Sequence, residues 1–361
     1  MTPVEIFKPY YAEALGKHIV KQVGKEVFSA SDPFHLLEIG GGNGTCMQGI
    51  LDFLALHHPG LYAHTVCTMV DVSAPFLEAQ RRTLAGHAGK VSFHLRSVLD
   101  WAEPNPRRGF VLAMELLDNL PHDKLVLKST GLLQEAWVHR DPTSGAFLEK
   151  HKELSDPVLL SYLRNLSHFY KLPPDCFLKP SFSLYHNLIL WSLLNDPLEP
   201  FPSTLRERLC NFAFRKKAEL LGSSMTSSHT ICYVPTGSFL LLKQLKEYFP
   251  RHGLLFADFN QLSETLSGTN APLVQKTEGE ESVVKDSYLD TQGEYDIFFP
   301  TNFLNLRILY QTVYGSRRAF VCSSKDFMKE NADWRKTRTR LGFNPLLSDY
   351  VNTSFFISPM E

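Results

Sequence analysis

Four glycines set between an apolar run and an amphipathic run constrain this chain more than any other feature. The stretch Leu36-Leu37-Glu38-Ile39-Gly40-Gly41-Gly42-Asn43-Gly44-Thr45 leads from a strand-like segment through one acid into the glycines. Beyond them Met47, Ile50, Leu51 and Leu54 recur at i, i+3, i+4, i+7, one face of a helix. The expected unit is a strand, a tight loop and a helix. Glycine suits a sharp turn where a ligand lies against bare main chain, and a helix start offers unpaired N–H groups to a carboxylate or phosphate.

Two cofactor classes use such a loop, and spacing separates them. A dinucleotide fingerprint reads G-x-G-x-x-G with an acid about 20 residues on. Here Thr45 stands where the third glycine belongs, and Asp71 lies farther away. The spacing Glu38-x-Gly40-x-Gly42-x-Gly44 instead resembles motif I of the class I S-adenosylmethionine (SAM) methyltransferases. That resemblance implies that Glu38, Gly40, Gly42 and Gly44 pass beneath the methionine part of SAM, with an acid at the end of the second strand on the ribose. A nicotinamide-dependent oxidoreductase is the disfavoured rival, and a ligand-free glycine turn is weakened by the acid, strand and helix around it.

The following residues repeat the strand–helix alternation. Thr65 to Val70 is apolar and ends at Asp71, expected to be water-exposed and able to accept from both ribose hydroxyls. Ser73 suits an N-cap, with Pro75 in the first turn of a helix to Leu84. Val91, Phe93 and Leu95 alternate as a strand leading to Ser97 and Asp100, either of which could face the adenine amino group. Gly109 to Met114 is a fourth strand, and it delivers Glu115-Leu116-Leu117-Asp118-Asn119-Leu120-Pro121 to the strand ends where open α/β sheets bind ligands. Glu115 and Asp118 suit a bidentate clamp on a guanidinium. The alternative is that Glu115 caps a neighbouring element and Asp118 is solvated. Ahead of the loop, Ile6, Tyr10, Tyr11, Leu15 and Ile19 mark a helical stretch, whose Tyr10 or Tyr11 closes the cofactor pocket or packs in the core.

Leu125 and Leu127, then Leu132, Ala136 and Val138, flank Ser129-Thr130-Gly131 as a hairpin. From about Asp156 to Leu221 the pattern turns helical between prolines. The expected organisation is a SAM-binding part over 1–140, a mainly helical insertion over the substrate side at 141–230, and the rest of the sheet in 231–361. That last part has a helix over 236–248, a strand over 253–259, an exposed mobile loop near 263–293, a helix over 302–313 and strands near 318–322 and 351–357.

An apolar fraction of 43% with 21% charged residues is that of an ordinary globular chain, and a net charge of -1 gives no reason to expect nucleic acid as a partner. The six cysteines are scattered without a C-x-x-C pair, so metal is not expected, and they read as reduced thiols inside a cell. No run of about 18 apolar residues suggests a membrane span.

Several stretches together resemble one group, the MidA-like methyltransferases, which include mitochondrial protein arginine methyltransferases that assist assembly of respiratory complex I. They are Thr2-Pro3-Val4-Glu5, the glycine motif, Val70-Asp71-Val72-Ser73, Glu115 to Pro121, and Gly253-Leu254-Leu255-Phe256-Ala257-Asp258-Phe259. The resemblance implies an α/β fold with a seven-stranded, mainly parallel, Rossmann-like sheet and a helical insertion. It further implies a SAM-dependent enzyme acting on a protein arginine, with a respiratory-complex subunit as partner and a mitochondrial location. Two departures stand out: Met114 where the family's loop carries Asn, and Asp258-Phe259-Asn260 where members often carry Asp-Tyr-Gly. They keep open an alternative, a non-catalytic assembly factor that retains the fold.

Overall fold

The computed structural model describes residues 2–128, 132–170, 172, 230–279, 281–315 and 317–361. In chain order it opens with α1 (Pro3–Ile6), α2 (Tyr10–Val23), β1 (Phe34–Ile39), α3 (Thr45–His57), α4 (Pro59–Ala63) and β2 (Thr65–Asp71). Then come α5 (Ala74–Thr83), β3 (Val91–Leu95), β4 (Gly109–Met114), β5 (Asp123–Leu127), β6 (Leu133–Arg140) and β7 (Phe147–Glu153). They are followed by α6 (Pro157–Phe169), β8 (Thr230–Val234), α7 (Thr236–Tyr248), β9 (His252–Phe259), β10 (Leu273–Glu278) and β11 (Glu281–Val284). The last elements are β12 (Asp296–Phe298), α8 (Phe303–Tyr314), β13 (Phe320–Ser323), α9 (Ser324–Asn331), α10 (Pro345–Ser348) and β14 (Thr353–Ser358). Two compact units share them: Met1–Leu117, Leu241–Asn260 and Val313–Glu361 form the first, and Asp118–Leu240 with Gln261–Thr312 the second.

The first unit is an α/β structure on a seven-stranded sheet ordered β13-β14-β9-β4-β1-β2-β3. Strands β9, β4, β1, β2 and β3 pair in parallel, whereas β14 is antiparallel to both β9 and β13, so the sheet is mixed. Every residue of β1 and of β14 is buried, as expected of strands covered on both faces. From β1 the chain passes through α3 to β2 on one side, then comes back to β4 on the other. This reversal makes the carboxyl ends of β1 and β4 the crevice where such sheets take ligands. Close approach requires glycine at the start of β4, where a Cβ on Gly109 would lie 1.7 Å from the His35 carbonyl oxygen. Helices α2 and α3 also meet through small residues, because a Cβ on Gly49 would stand 2.5 Å from that of Ala12. Leu15, Phe34, Leu36, Met47 and Leu51 are fully buried around this contact, each stabilising the fold by about 1.5–3 kcal/mol.

The second unit has a four-stranded sheet ordered β7-β6-β5-β8 and a three-stranded sheet ordered β11-β10-β12. Strands β5 and β6 form the expected hairpin, with Leu125 opposite Glu135; its turn at 129–131 lies outside the described residues. Strand β7 falls inside the stretch expected to be mainly helical. Its alternation is carried by Glu149, His151 and Glu153 against Lys150 and Lys152, and charged alternation gives no apolar signal. The region near 263–293, expected as an exposed mobile loop, contains β10 and β11, and β10 also pairs with β12. Val274 at 1% exposure and Ala271 at 2% anchor it, and the apolar pairs Leu273-Val274 and Val283-Val284 are adjacent rather than alternating, which gives no period-2 signal. Of the helical stretch, α6 is present, with the Asp156 side chain accepting from the amides of Val158 and Leu159 at 2.9 and 2.8 Å. Residues 171 and 173–229 lie outside the described ones. No described helix is long and apolar enough to cross a membrane.

Candidate functional site

The glycine loop turns β1 into α3 through left-handed backbone, with φ of 66° at Gly40, 51° at Gly42 and 82° at Gly44. A Cβ on Gly42 would meet no atom within 4 Å, so its open side is room for a ligand, whereas one on Gly44 would press on the Gln80 main chain at 3.1 Å. Beside the loop, Glu38 at the end of β1 is only 1% exposed. Burial pushes its carboxyl up to about 7, with the neighbouring Asp71 charge adding to the rise, against hydrogen bonds from the Cys46 thiol and the Met47 amide. Its Oε2 has no hydrogen-bond partner among the described residues. A buried acceptor left without a donor is costly, and a ligand ammonium or N–H would relieve it.

Asp71 ends β2 in the neighbouring crevice, but it is not water-exposed as expected. The turn into α5 covers it to 7% exposure, with Oδ1 accepting from the Ser73 amide at 2.9 Å. Its Oδ2 accepts from Gln80 Nε2 at 2.9 Å. The same Gln80 nitrogen donates to the Gly42 carbonyl at 3.0 Å, joining Asp71 to the glycine loop. Both partners are acceptors, which fixes the amide orientation and leaves the buried Gln80 Oε1 without a hydrogen-bond partner among the described residues. Asp71 keeps lone pairs for further donors. Of the two adenine candidates, Ser97 caps the short turn Val98–Asp100 by accepting from the Leu99 amide at 3.2 Å, and Asp100 is exposed on that turn.

At the end of β4, Glu115 is held at a φ of 54°, left-handed backbone that a non-glycine residue adopts at a cost. Its amide donates to the Ala257 carbonyl at 2.8 Å. Asp258, 1% exposed, holds the next turn, accepting from the amides of Leu117 and Phe259, each at 2.7 Å. Glu115, Asp258, Tyr11, Tyr350, Met114 and Pro3 line one narrow cleft. Burial pushes the Tyr11 hydroxyl far above the usual phenol range, and the Glu115 charge adds to the rise. Of the two N-terminal tyrosines, Tyr11 lines this cleft and is buried in the core at 7% exposure, and Tyr10 is not among the lining residues. Asp118 belongs to the second unit. It is 1% exposed rather than solvated, burial raises its carboxyl to about 6, and Oδ1 accepts from Asn119 Nδ2 at 2.6 Å.

A left-handed glycine loop with open space over it, a buried acid with a free oxygen and a second acid one strand away fit the donors of SAM. The family profile described as "putative S-adenosyl-L-methionine-dependent methyltransferase" matches residues 14–321. The chain belongs to that family. Its cofactor is SAM. A relative from Schizosaccharomyces pombe, named "Protein arginine methyltransferase NDUFAF7 homolog, mitochondrial", is 21% identical over 349 residues, covering 93% of this chain and 67% of the relative. Two Burkholderia thailandensis structures of one superfamily share the fold. A native one is 14% identical with a TM-score of 0.59, covering 99% of this chain and 81% of the other. A second, bound to S-adenosyl-homocysteine (SAH), is 15% identical with a TM-score of 0.58, covering 98% and 78%.

Sequence reading missed Gln80, Asp258 as a loop anchor, and Glu5, which accepts from Thr45 Oγ1 at 2.6 Å. Asp258 and Glu5 each left a trace, inside stretches quoted for the resemblance, whereas Gln80 left none. A glutamine on a helix face carries no signal until the loop beside it is known.

Proposed function

We propose that this SAM-dependent methyltransferase has a class I, Rossmann-like catalytic domain and methylates the guanidinium of an arginine in a protein. The observation that carries this reading is the cleft around Glu115. A carboxylate on strained backbone, walled by the rings of Tyr11 and Tyr350, suits a planar cation better than a neutral or anionic acceptor. The name of the S. pombe relative supports an arginine acceptor and a mitochondrial location, and the family resemblance supports a respiratory-complex subunit as the protein partner.

When bound, SAM supplies an electrophilic methyl group on a sulfonium. The free oxygen of Glu38 accepts from the ammonium, while the bare main chain of Gly40, Gly42 and Gly44 leaves room for the methionine part. Asp71, steadied by Gln80 and Ser73, accepts from the ribose hydroxyls, and Ser97 or Asp100 faces the adenine. Glu115 holds the guanidinium and draws its charge to the far nitrogens, leaving the reacting nitrogen more nucleophilic. Asp258 keeps the Glu115 turn in place. Positioning accounts for most of the catalysis, and no strong base is required because the proton leaves after the methyl group has moved.

Titration calorimetry with SAH tests the cofactor half: Asp71→Ala weakens binding about 10-fold or more, the loss of charge-assisted hydrogen bonds. Unchanged affinity removes Asp71 from the site. Labelled SAM and a mitochondrial lysate test the acceptor half. Wild type places label in methylarginine, and Glu115→Gln abolishes transfer without loosening SAH; label in other residues, or transfer that survives, overturns the assignment. A second reading, a non-catalytic assembly factor, is favoured by Met114, whose apolar side chain lines the cleft where the family's loop has an amide. It predicts SAH binding with no label transferred.

A further inference from the structure

The N-terminal segment touches both halves of the site. Glu5 on α1 sends its carboxylate to the start of α3, where it accepts from Thr45 Oγ1 at 2.6 Å and Asn43 Nδ2 at 3.5 Å, with Lys8 Nζ at 2.7 Å. Asn43 and Thr45 bracket Gly44, the left-handed residue that ends the glycine loop. Burial alone would raise the Glu5 carboxyl, but the bonds from Lys8, Thr45 and Asn43 outweigh it and hold it below the usual carboxylate range, so it is ionised at neutral pH. On either side of Glu5 in sequence, Pro3 and Tyr11 line the Glu115 cleft. One carboxylate thus ties a wall of the acceptor cleft to the loop that lies against the cofactor.

We infer that Glu5 is a positioning residue that clasps the N-terminal segment onto the glycine loop, so that cofactor uptake and the acceptor cleft are coupled. This rests on the reading of that loop as the SAM site. A cofactor that orders Asn43 to Thr45 fixes the two donors Glu5 needs, and the seated segment brings Pro3 and Tyr11 into the cleft wall. Reciprocity follows: whatever holds the segment down tightens the cofactor by the same factor.

The test uses SAH as probe, with calorimetry and amide hydrogen exchange over residues 4–11, on wild type, Glu5→Ala, Thr45→Val and the double variant. Each single variant weakens SAH by about 10-fold, the loss of one charge-assisted hydrogen bond. The double variant is no weaker than Glu5→Ala, because both changes remove the same bond. SAH slows exchange over 4–11 in wild type but not in Glu5→Ala, and Glu5→Gln, which keeps an acceptor for Thr45, restores part of both effects. A purely structural role would lower the melting temperature and leave the exchange response to SAH intact. If Glu5→Ala does not fold, Thr45→Val and Glu5→Gln carry the same comparison. SAH affinity unchanged in the single variants, additive losses, or protection that survives in Glu5→Ala overturns the clasp while leaving the cofactor assignment standing. Wild type that takes up no SAH overturns both.

Discussion

Glu38 in the first unit and Glu135 in the second are both buried carboxylates, at 1% and 2% exposure, yet they have opposite electrostatic characters. Burial works on Glu135 as well, but its carboxylate accepts from the amides of Asp156 and Ser155, the Ser155 hydroxyl and the Trp137 indole, which together lower it to about 2. Glu38 receives fewer bonds, keeps one oxygen without a partner among the described residues and is raised to about 7. Burial alone therefore does not set whether an acid is ionised. The number of donors aimed at it does.

The largest expected effect comes from Glu135→Ala, which removes the acceptor of four hydrogen bonds, some from solvent-facing donors that water can take up, and should destabilise the protein by about 3 kcal/mol in urea unfolding, whereas Glu38→Gln at pH 7 should cost nothing or stabilise. The reverse order would break the comparison. Next is pH. The Glu38 carboxyl, raised from 4.5 to about 7, contributes stability that is fully present below about 4.5 and is lost as pH rises through 7, about 3 kcal/mol in all. Glu135, lowered from 4.5 to about 2, contributes above 4.5 and loses that contribution as pH falls towards 2. Unfolding at pH 5 and pH 8 should show wild type losing stability relative to Glu38→Gln as pH rises, while SAH binding tightens over the same interval because the ammonium needs the ionised acid. A flat difference would place the Glu38 proton elsewhere. The smallest effect is that of Gln80→Met, which removes the tie between Gly42 and Asp71 and should weaken SAH about 10-fold, or about 1.4 kcal/mol, with a small fall in melting temperature as two acceptors lose their donor.

Much of the first unit was legible beforehand. Glycine spacing, the apolar runs of β1, β2, β4 and β9, and the acids at their ends are local signals, written in consecutive residues. The β7 strand and the β10–β11 pair were not, because the alternation of β7 is carried by charged residues whose two faces look alike, and the apolar residues of β10 and β11 are adjacent rather than alternating. Asp71 was placed correctly at a strand end, but its exposure was misjudged, since Gln80 covers it from a helix face nine residues on.

By itself the sequence determined that a strand, a glycine loop and a helix lie at the centre of the sheet unit, and that acids sit at the ends of the first, second and fourth strands, because glycine φ and side-chain period act within a few residues. Tertiary structure alone decided which acid keeps a free oxygen, and that Asp258 holds Leu117 from 141 positions away. It also decided that Glu5 reaches Thr45. Those contacts depend on which strands become neighbours, and strand order is set by packing the whole sheet rather than by any stretch of the chain.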